Sequence, residues 1–314
     1  MAKDSVEPIN SALLADALAG LAQPQKQLSP KWFYDTRGSE LFEEITQLDE
    51  YYPTRTEAAI LVAHADQLAR LVPPGGVLVE LGSGASVKTR TLLDAGGHFG
   101  AYVPIDIAEE FLMHTAQDLR RRYPDLNVAP VMADFTSAIT LPSTFDGVPK
   151  TAFFPGSTIG NLAPQAAIDL LSRMHDLDGV DTFVLGVDLV KDREELIRAY
   201  DDRAGVTAAF NLNILERLNR EAGADFGLEG FAHEARWIED RIEMHLVSRR
   251  AQSVALGGTV IHFQAGESIH TESCRKYTQD SLRALADAAG WVVDDMFADS
   301  DWRFMVAVLK RKPD

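Results

Sequence analysis

Cysteine and basic residues are both scarce in this sequence. Cys274 is the only cysteine among 314 residues, so the chain cannot form an internal disulfide, and such sparse use of cysteine is typical of a reducing cytoplasm. Lysine and arginine number 30 against 47 aspartates and glutamates, which gives a net charge of -17. Nucleic acids and anionic membranes are bound through clustered positive charge, so we expect neither as a partner.

Long apolar runs and metal-binding motifs are also absent. No stretch reaches the roughly 20 apolar residues that a membrane-spanning helix needs, and the first ten residues, MAKDSVEPIN, lack the apolar core of a signal peptide. The eight histidines form no H-E-x-x-H pair and have no cysteine partner at ligand spacing, so we expect no metal site. We therefore expect a soluble, cytoplasmic, monomeric protein that acts on a small molecule.

Strand and helix patterns alternate from residue 77 to residue 188. Short apolar runs predict strands at residues 77–81, 101–105, 128–132, 151–154 and 181–188. Helical patterns cover residues 55–71 and 108–122. A further helix should begin near Ser86, and another should follow Pro164. Pro53 should break any helix that reaches it. Such alternation predicts the α/β class, with a doubly wound, Rossmann-like parallel sheet.

The alternation stops at residue 191. Residues 194–220 predict one long helix, and residues 241–246 and 258–263 predict an antiparallel pair of strands. A helix capped by Thr278 and stopped by Gly290 then precedes two closing strands at residues 291–297 and 302–309. We interpret the chain as a sheet domain (residues 55–190 and 277–314) and an inserted α+β domain (residues 8–54 and 191–276).

The turn after the first strand carries a ligand-binding pattern. Glu80-Leu-Gly82-Ser-Gly84 is glycine-rich, which lets backbone N–H groups approach a ligand closely. Val87 stands where the dinucleotide fingerprint needs its third glycine, so a nicotinamide oxidoreductase is disfavoured. An acid two residues before the first glycine suits S-adenosylmethionine (SAM), because its methionine half carries an ammonium and a sulfonium instead of a pyrophosphate.

Polar residues follow the next three strands. Asp106 could accept bonds from both ribose hydroxyls of a cofactor, and Asp134 and Phe135 suit an adenine. The alternative is that these acids are ordinary loop residues that bind no ligand. Acidic residues near the ends of three successive strands, Glu80, Asp106 and Asp134, favour cofactor binding. The loop from Gly156 to Asn161 offers neutral donors and acceptors for an amino-acid head group, although a capping turn before Pro164 would look the same.

Eight unusual motifs run through the chain, at residues 31–35 (KWFYD), 38–42 (GSELF), 50–57 (EYYPTRTE), 80–84 (ELGSG), 156–161 (GSTIGN), 188–192 (DLVKD), 199–202 (AYDD) and 205–211 (GVTAAFN). Together they resemble the SAM-dependent L-histidine Nα-methyltransferases of ergothioneine biosynthesis. The resemblance extends from about residue 28 to the C-terminus. It implies threefold methylation of the histidine α-amine to hercynine, with SAM as the cofactor, a SAM-binding sheet domain and a substrate-binding inserted domain.

The resemblance also implies roles for individual residues. The cofactor would be surrounded by Tyr34, Gly82, Lys88, Asp106, Asp134 and Phe135. The catalytic positions would be Tyr51 and Asn161 at the substrate carboxylate, with Gly156 and Thr158 near the amine. Tyr200 and Met244 would line the substrate pocket, and Glu272 would accept a hydrogen bond from the imidazole. On composition alone, Lys88 would more often be a surface charge and the tyrosines core aromatics.

Cys274 departs from the family pattern, in which a serine at this position bonds the imidazole. A thiol is a weaker hydrogen-bonding group than a hydroxyl. Either histidine is held by a poorer second contact, or the protein N-methylates a different aromatic amino acid; Glu272 argues against an indole. A non-catalytic relative that only binds SAM is the third alternative.

Overall fold

The computed structural model describes residues 9–312. The α-helices in this range are α1 (Ser11–Leu21), α2 (Thr36–Thr46), α3 (Tyr52–Ala63), α4 (Ala65–Ala69), α5 (Val87–Ala95), α6 (Glu109–Arg122), α7 (Pro164–Asp176), α8 (Arg193–Tyr200), α9 (Val206–Ala222) and α10 (Gln279–Ala288). The strands are β1 (Lys26–Gln27), β2 (Val77–Leu81), β3 (Ala101–Asp106), β4 (Asn127–Val128), β5 (Val131–Met132), β6 (Lys150–Phe154), β7 (Val180–Asp188), β8 (Phe231–Ile238), β9 (Arg241–Ser248), β10 (Gln252–Leu256), β11 (Thr259–Phe263), β12 (Ser268–Arg275), β13 (Trp291–Ala298) and β14 (Phe304–Arg311). None of these helices is long and apolar enough to span a membrane.

The chain divides into two compact units. Unit 1 consists of the residues up to Tyr52 together with Lys191–Ser273, and unit 2 consists of Pro53–Val190 together with the residues from Cys274 onward. The domain boundaries predicted from the sequence follow residues 54, 190 and 276. The inserted domain was predicted to begin at residue 8, which lies outside the described residues.

Unit 2 contains a mixed sheet in the order β13-β14-β7-β6-β2-β3-β4, with β5 also paired to β3. The pairs among β2, β3, β4, β6 and β7 are parallel, whereas β14 is antiparallel to both β7 and β13. This confirms the predicted α/β class and Rossmann-like sheet, with an antiparallel edge formed by the two closing strands. The carboxyl ends of the parallel strands gather the loops that carry the candidate site.

Both faces of this sheet are covered by helices. Val79 of β2 packs in a cluster with residues of α7 and α10, whereas its neighbour Leu78 packs on the other face with residues of α3 to α6. Successive strand residues point to opposite faces, so a sheet buried on both sides needs the continuous apolar runs that the sequence contains. Burial on both faces makes the strand ends a rigid base for the loops.

Two predictions about unit 2 were wrong in detail. The strand predicted over residues 128–132 is interrupted at Pro130, because proline has no N–H to donate to β3. Two short strands, β4 and β5, pair with β3 on either side of the interruption. Pro53 does not break the helix near it but lies in the first turn of α3, where a missing N–H costs nothing.

Unit 1 contains a sheet in the order β1-β12-β9-β8 and a separate hairpin of β10 and β11. The predicted pairing of residues 241–246 with 258–263 was wrong: β9 pairs with β8, and β11 pairs with β10. The predicted helix over residues 194–220 is also divided, into α8 and α9. Gly205 adopts a φ of +76°, and the Asp202 carboxylate accepts from the N–H groups of Val206 and Thr207, so a new helix begins there.

Candidate active site

The glycine-rich turn between β2 and α5 adopts left-handed backbone conformations. Gly82 has a φ of +62° and Gly84 a φ of +49°, values that favour glycine. A Cβ atom at Gly82 would lie 3.5 Å from Cε1 of Phe135, whereas a Cβ at Gly84 would meet nothing within 4 Å. The structure therefore brings together the predicted cofactor residues Gly82 and Phe135 beside an open stretch of backbone.

Asp106 ends β3 next to this turn. Its Oδ2 accepts from the backbone N–H of Gly84 at 2.9 Å, and its Oδ1 accepts from the N–H of Ala108 at 3.0 Å. A carboxylate has about four acceptor positions, so each oxygen retains capacity for a ribose hydroxyl. Its chemistry and its attachment to the glycine turn fit the ribose of SAM.

Asp134 and Phe135 lie just beyond β5, the strand that pairs with the end of β3. Asp134 Oδ1 accepts from the backbone N–H and the hydroxyl of Thr136, at 2.8 and 2.6 Å. The Phe135 ring is half-buried and lies edge-on to Phe154, with the ring centroids 5.2 Å apart. A fixed aromatic ring and an anchored carboxylate on consecutive residues after one strand fit an adenine with its exocyclic amine.

Glu80 does not take the role suggested by the sequence, that of a carboxylate beside the ammonium of the cofactor. Its side chain is fully buried and accepts hydrogen bonds from Thr89, at 2.6 Å, and from the hydroxyl of Tyr102. Burial raises the pKa of Glu80 to about 8, although these bonds oppose the rise. Glu80 thus connects the first turn of α5, through Thr89, to β3, through Tyr102.

Glu57 was missed by the sequence reasoning, although it ends one of the recognised motifs. It lies on α3 and is fully buried. Lys88 Nζ donates to Glu57 Oε2 at 2.5 Å, and the backbone N–H of Gly156 donates to the same carboxylate at 2.9 Å. Glu57 lies three and four residues before the buried Ile60 and Leu61, so its place on the apolar face of α3 was the available signal.

The loop after β6 lies against Lys88. Gly156 has a φ of +84°, and a Cβ there would lie 3.6 Å from Lys88 Nζ and 3.3 Å from Thr158 Oγ1. Asn161 closes the short 3-10 turn Thr158–Asn161. Ser157 Oγ accepts from the backbone N–H of Asp188 at 2.9 Å, which ties the loop to the end of β7. The structure thus brings together Lys88 from the predicted cofactor set with Gly156 and Thr158 from the predicted catalytic set.

Cys274 is buried at the end of β12, in unit 2. Lys276 Nζ donates to its Sγ at 3.1 Å and lies 2.7 Å from Asp188 Oδ2. Lys276 is fully buried, which is rare for a lysine. The thiol therefore belongs to a polar cluster that includes the end of β7.

Three predicted aromatic residues lie in unit 1 and form a chain through Phe42. The ring centroids of Tyr34 and Phe42 are 5.8 Å apart, those of Phe42 and Tyr51 are 6.4 Å apart, and those of Tyr51 and Tyr200 are 6.0 Å apart. Tyr34 is 39% exposed, whereas Tyr51 and Tyr200 are buried. The structure thus brings the predicted substrate residues Tyr51 and Tyr200 into edge-to-face contact.

Met244 and Glu272 lie on the neighbouring strands β9 and β12 of unit 1, and both are buried. The hydroxyl of Thr271, the residue before Glu272, lies 3.0 Å from the carbonyl oxygen of Met244. The structure thus brings these two predicted substrate residues to one part of the sheet. Residues 9–312 contain no group of three or more His, Cys, Asp or Glu side chains that could hold a metal ion.

Comparison with known proteins identifies the family. Residues 13–311 match the family model described as histidine-specific methyltransferase, SAM-dependent. The chain is 45% identical over 291 residues to the histidine N-alpha-methyltransferase of Mycobacterium tuberculosis, which covers 89% of this chain and 88% of the relative. The enzyme of the same name from Mycolicibacterium smegmatis is 44% identical over 289 residues, covering 88% of each chain.

More distant relatives include the ergothioneine biosynthesis protein 1 of Neurospora crassa, 32% identical over 212 residues, which cover 65% of this chain and 24% of that protein. A solved structure of a SAM-bound amino pentose methyltransferase from Micromonospora echinaspora has a TM-score of 0.46 at 15% identity, covering 89% of this chain and 98% of that one. The resemblance seen in the sequence is confirmed by the family model and the mycobacterial relatives. The chain belongs to the family of SAM-dependent, histidine-specific methyltransferases.

Proposed function

We propose that this protein transfers three methyl groups from SAM to the α-amine of L-histidine, which yields hercynine for ergothioneine biosynthesis. The observation that supports this most directly is the cluster of Lys88, Gly156 and Thr158 around the buried Glu57. It joins a residue assigned to the cofactor with two assigned to the substrate amine. The similarity to two histidine N-alpha-methyltransferases supports the choice of substrate. We place the reaction in the cytoplasm, in a monomeric enzyme.

The proposed substrate contacts follow the family motifs. Tyr51 and Asn161 bind the carboxylate of histidine, and Gly156 and Thr158 lie beside its α-amine. The side chain is recognised by four residues, with Glu272 accepting from the imidazole N–H: Tyr200, Met244, Glu272 and Cys274. SAM is held by Tyr34, Gly82, Lys88, Asp106, Asp134 and Phe135.

SAM supplies an already activated methyl group, so the residues of the chain serve chiefly to position the amine. The amine nitrogen must lie roughly 3 to 3.5 Å from the methyl carbon and in line with the bond that breaks. The amine must also be neutral to attack, whereas a free amino acid is mostly an ammonium at neutral pH. Desolvation of the bound amine disfavours its charged form, so the pKa of the amine falls and its proton is released to water.

The test is to incubate the protein with SAM and each of the twenty amino acids and to measure product masses. We expect histidine to gain one, two and finally three methyl groups. The thiol at Cys274 favours one alternative, that another aromatic amino acid is the substrate, and the same screen identifies it. If SAM binds but no amino acid gains a methyl group, the proposed activity is wrong and a SAM-binding, non-catalytic role replaces it.

A further inference from the structure

A buried hydrogen-bond network in unit 1 is centred on Asn211 of α9. Asn211 is completely buried, and its Nδ2 lies 2.8 Å from Nδ1 of His233 and 3.2 Å from the carbonyl oxygen of His245. Thr271 donates from its hydroxyl to Asn211 Oδ1 at 2.7 Å. His233 Nε2 lies 2.7 Å from the carbonyl oxygen of Tyr200. One amide thus connects α9 with β8, β9 and β12.

The partners of Asn211 fix its orientation and the tautomer of His233. A backbone carbonyl only accepts, so the atom facing His245 must be the NH2 group of Asn211. The second hydrogen of that group then points at His233 Nδ1, which must accept. The carbonyl of Tyr200 likewise requires a hydrogen on His233 Nε2. His233 is therefore neutral, with its proton on Nε2.

The network reaches the backbone carbonyls of Tyr200 and Met244, and it reaches Glu272 only through the side chain of the preceding residue, Thr271. The carbonyl of Tyr200 is the last of α8 and finds its partner in His233 instead of within the helix. Thr271 precedes Glu272 on β12, and its hydroxyl also lies 3.0 Å from the carbonyl of Met244. The single hydroxyl hydrogen of Thr271 is shared between Asn211 Oδ1, the nearer acceptor, and the carbonyl of Met244. The amide therefore holds Tyr200 through His233, and it holds the segment of β12 beside Met244 through Thr271. Burial makes the bonds of Asn211 costly to leave unmade.

We propose that Asn211 and His233 are positioning residues that select the substrate side chain by holding Tyr200, Met244 and Glu272 in register. This inference rests on the proposed function, because the recognition roles of those three residues belong to it. Neither side chain is assigned a contact with substrate or cofactor. Their effect is expected on the affinity and selectivity for the amino acid, and not on the binding of SAM.

The charged groups around His233 are acidic. Asp201 Oδ1 lies 4.0 Å from His233 Nε2, and Asp202 and Glu234 also favour the protonated ring. Burial outweighs them and lowers the pKa of His233 below its usual value, which keeps the ring neutral as the network requires. Protonation in acid would set an N–H of His233 against the NH2 group of Asn211, so the network should fail there.

The experiment compares Asn211→Leu with Asn219→Leu in the full-length protein. Asn219 lies on the same helix and also bonds a backbone through its amide, but its partner is Phe226, which is outside the recognition set. We expect Asn211→Leu to raise the KM for histidine about tenfold or more, because it removes all three hydrogen bonds of the buried amide, with kcat changed less than about threefold. The Kd for SAM should match that of Asn219→Leu.

Two substitutions at His233 separate the halves of the network, in case Asn211→Leu fails to fold. His233→Gln keeps a donor at the Nε2 position for Tyr200, and His233→Asn keeps an acceptor near Nδ1 for Asn211. We expect both variants to raise the KM for histidine and to reduce the ratio of kcat/KM for histidine to that for phenylalanine. A purely structural role of His233 would leave this ratio unchanged. Nitrogen-15 NMR of His233 should show the Nε2–H tautomer in the unaltered protein, independently of activity.

The outcomes distinguish the inference from the proposed function. If the unaltered protein methylates histidine but the Asn211 and His233 variants keep its KM and selectivity, only the inference is overturned. The Nδ1–H tautomer at His233 would overturn it as well. If the unaltered protein methylates no histidine, the proposed function fails and the inference fails with it.

Discussion

Both carboxylate oxygens of Glu57 lie 2.9 Å from the backbone nitrogen of Gly156. Because Oε2 also accepts from Lys88, a single buried carboxylate fixes the loop after β6 relative to α5. Glycine is favoured at this position because its φ of +84° is strained for any other residue. The geometry of the loop near the proposed amine site therefore depends on a residue of α3.

Glu57→Gln should lower kcat/KM by about tenfold to a hundredfold, because a neutral amide cannot pair with the Lys88 ammonium and leaves it partly buried without its counter-charge. Steady-state kinetics with histidine and SAM measure the change. Glu110→Gln, at an exposed position on α6, is the control and should behave as the unaltered protein. If Glu57→Gln and Glu110→Gln have the same kcat/KM, Glu57 has only a structural role.

Asp106→Ala should affect SAM binding more than any other property of the enzyme. We expect the Kd for SAM to rise about tenfold to a hundredfold, because the carboxylate is proposed to accept from both ribose hydroxyls. Titration calorimetry measures the affinity, and circular dichroism checks the fold, since Asp106 also accepts from Gly84 and Ala108. Asp125→Ala, at an exposed position in unit 2, serves as the comparison. A SAM affinity that stays constant would remove the ribose role from Asp106.

Glu272→Ala should reduce the use of histidine sharply and spare the binding of SAM, because the lost group accepts from the imidazole and not from the cofactor. A hydrogen bond to a charged group is worth about 1.5–3 kcal/mol, so the KM for histidine should rise about tenfold to a hundredfold. Glu229→Ala, at an exposed acid of unit 1, is the matched control. Equal losses in both affinities would contradict the assignment.

Cys274→Ser should leave the affinity for histidine equal or improve it, because a hydroxyl is a better donor and acceptor than a thiol. A serine oxygen can also accept the bond that Lys276 now donates to Sγ. Cys274→Ala, which removes that acceptor, should bind histidine more weakly than either. A large loss in the serine variant would reveal a role that only sulfur can fill.

Glu80→Gln should change how stability depends on pH. The folded protein raises the pKa of Glu80 from 4.5 to about 8, so it binds a proton that the unfolded chain releases between these values. The contribution of Glu80 is therefore full below about pH 4.5 and is lost as the pH rises through about 8, at up to about 1.4 kcal/mol per pH unit.

The glutamine variant cannot lose this contribution, so its stability relative to the unaltered protein should rise from about pH 5 to about pH 8 and then level off. Urea denaturation across that range measures the difference. Glu110→Gln should show no such trend, since its carboxylate is exposed. Parallel curves for Glu80→Gln and the unaltered protein would mean that Glu80 is ionised in the fold.

Local patterns predicted β2, β3, β6 and β7 well, because each of these strands is a largely apolar run with its own breaker. The cap at Thr278 was also readable, since its hydroxyl accepts from the N–H of Ser281 three residues later. Strand pairing in unit 1 was not readable, because β9 has apolar residues that suit more than one neighbour. In the folded chain β9 lies between β8 and β12, and local spacing marks neither of them as its neighbour.

The sequence by itself determined the fold class, the glycine turn at Gly82 and the family, because these depend on short-range spacing and on runs of residue types. Tertiary structure alone decided that Glu57, 99 positions before Gly156, bonds the loop after β6, and that Asn211 bonds Thr271, 60 positions later. Partners so far apart along the chain leave no periodic signal, since their meeting depends on how whole helices and sheets pack. Buried polar groups must find such partners to offset the loss of water, and the folded chain alone specifies which ones.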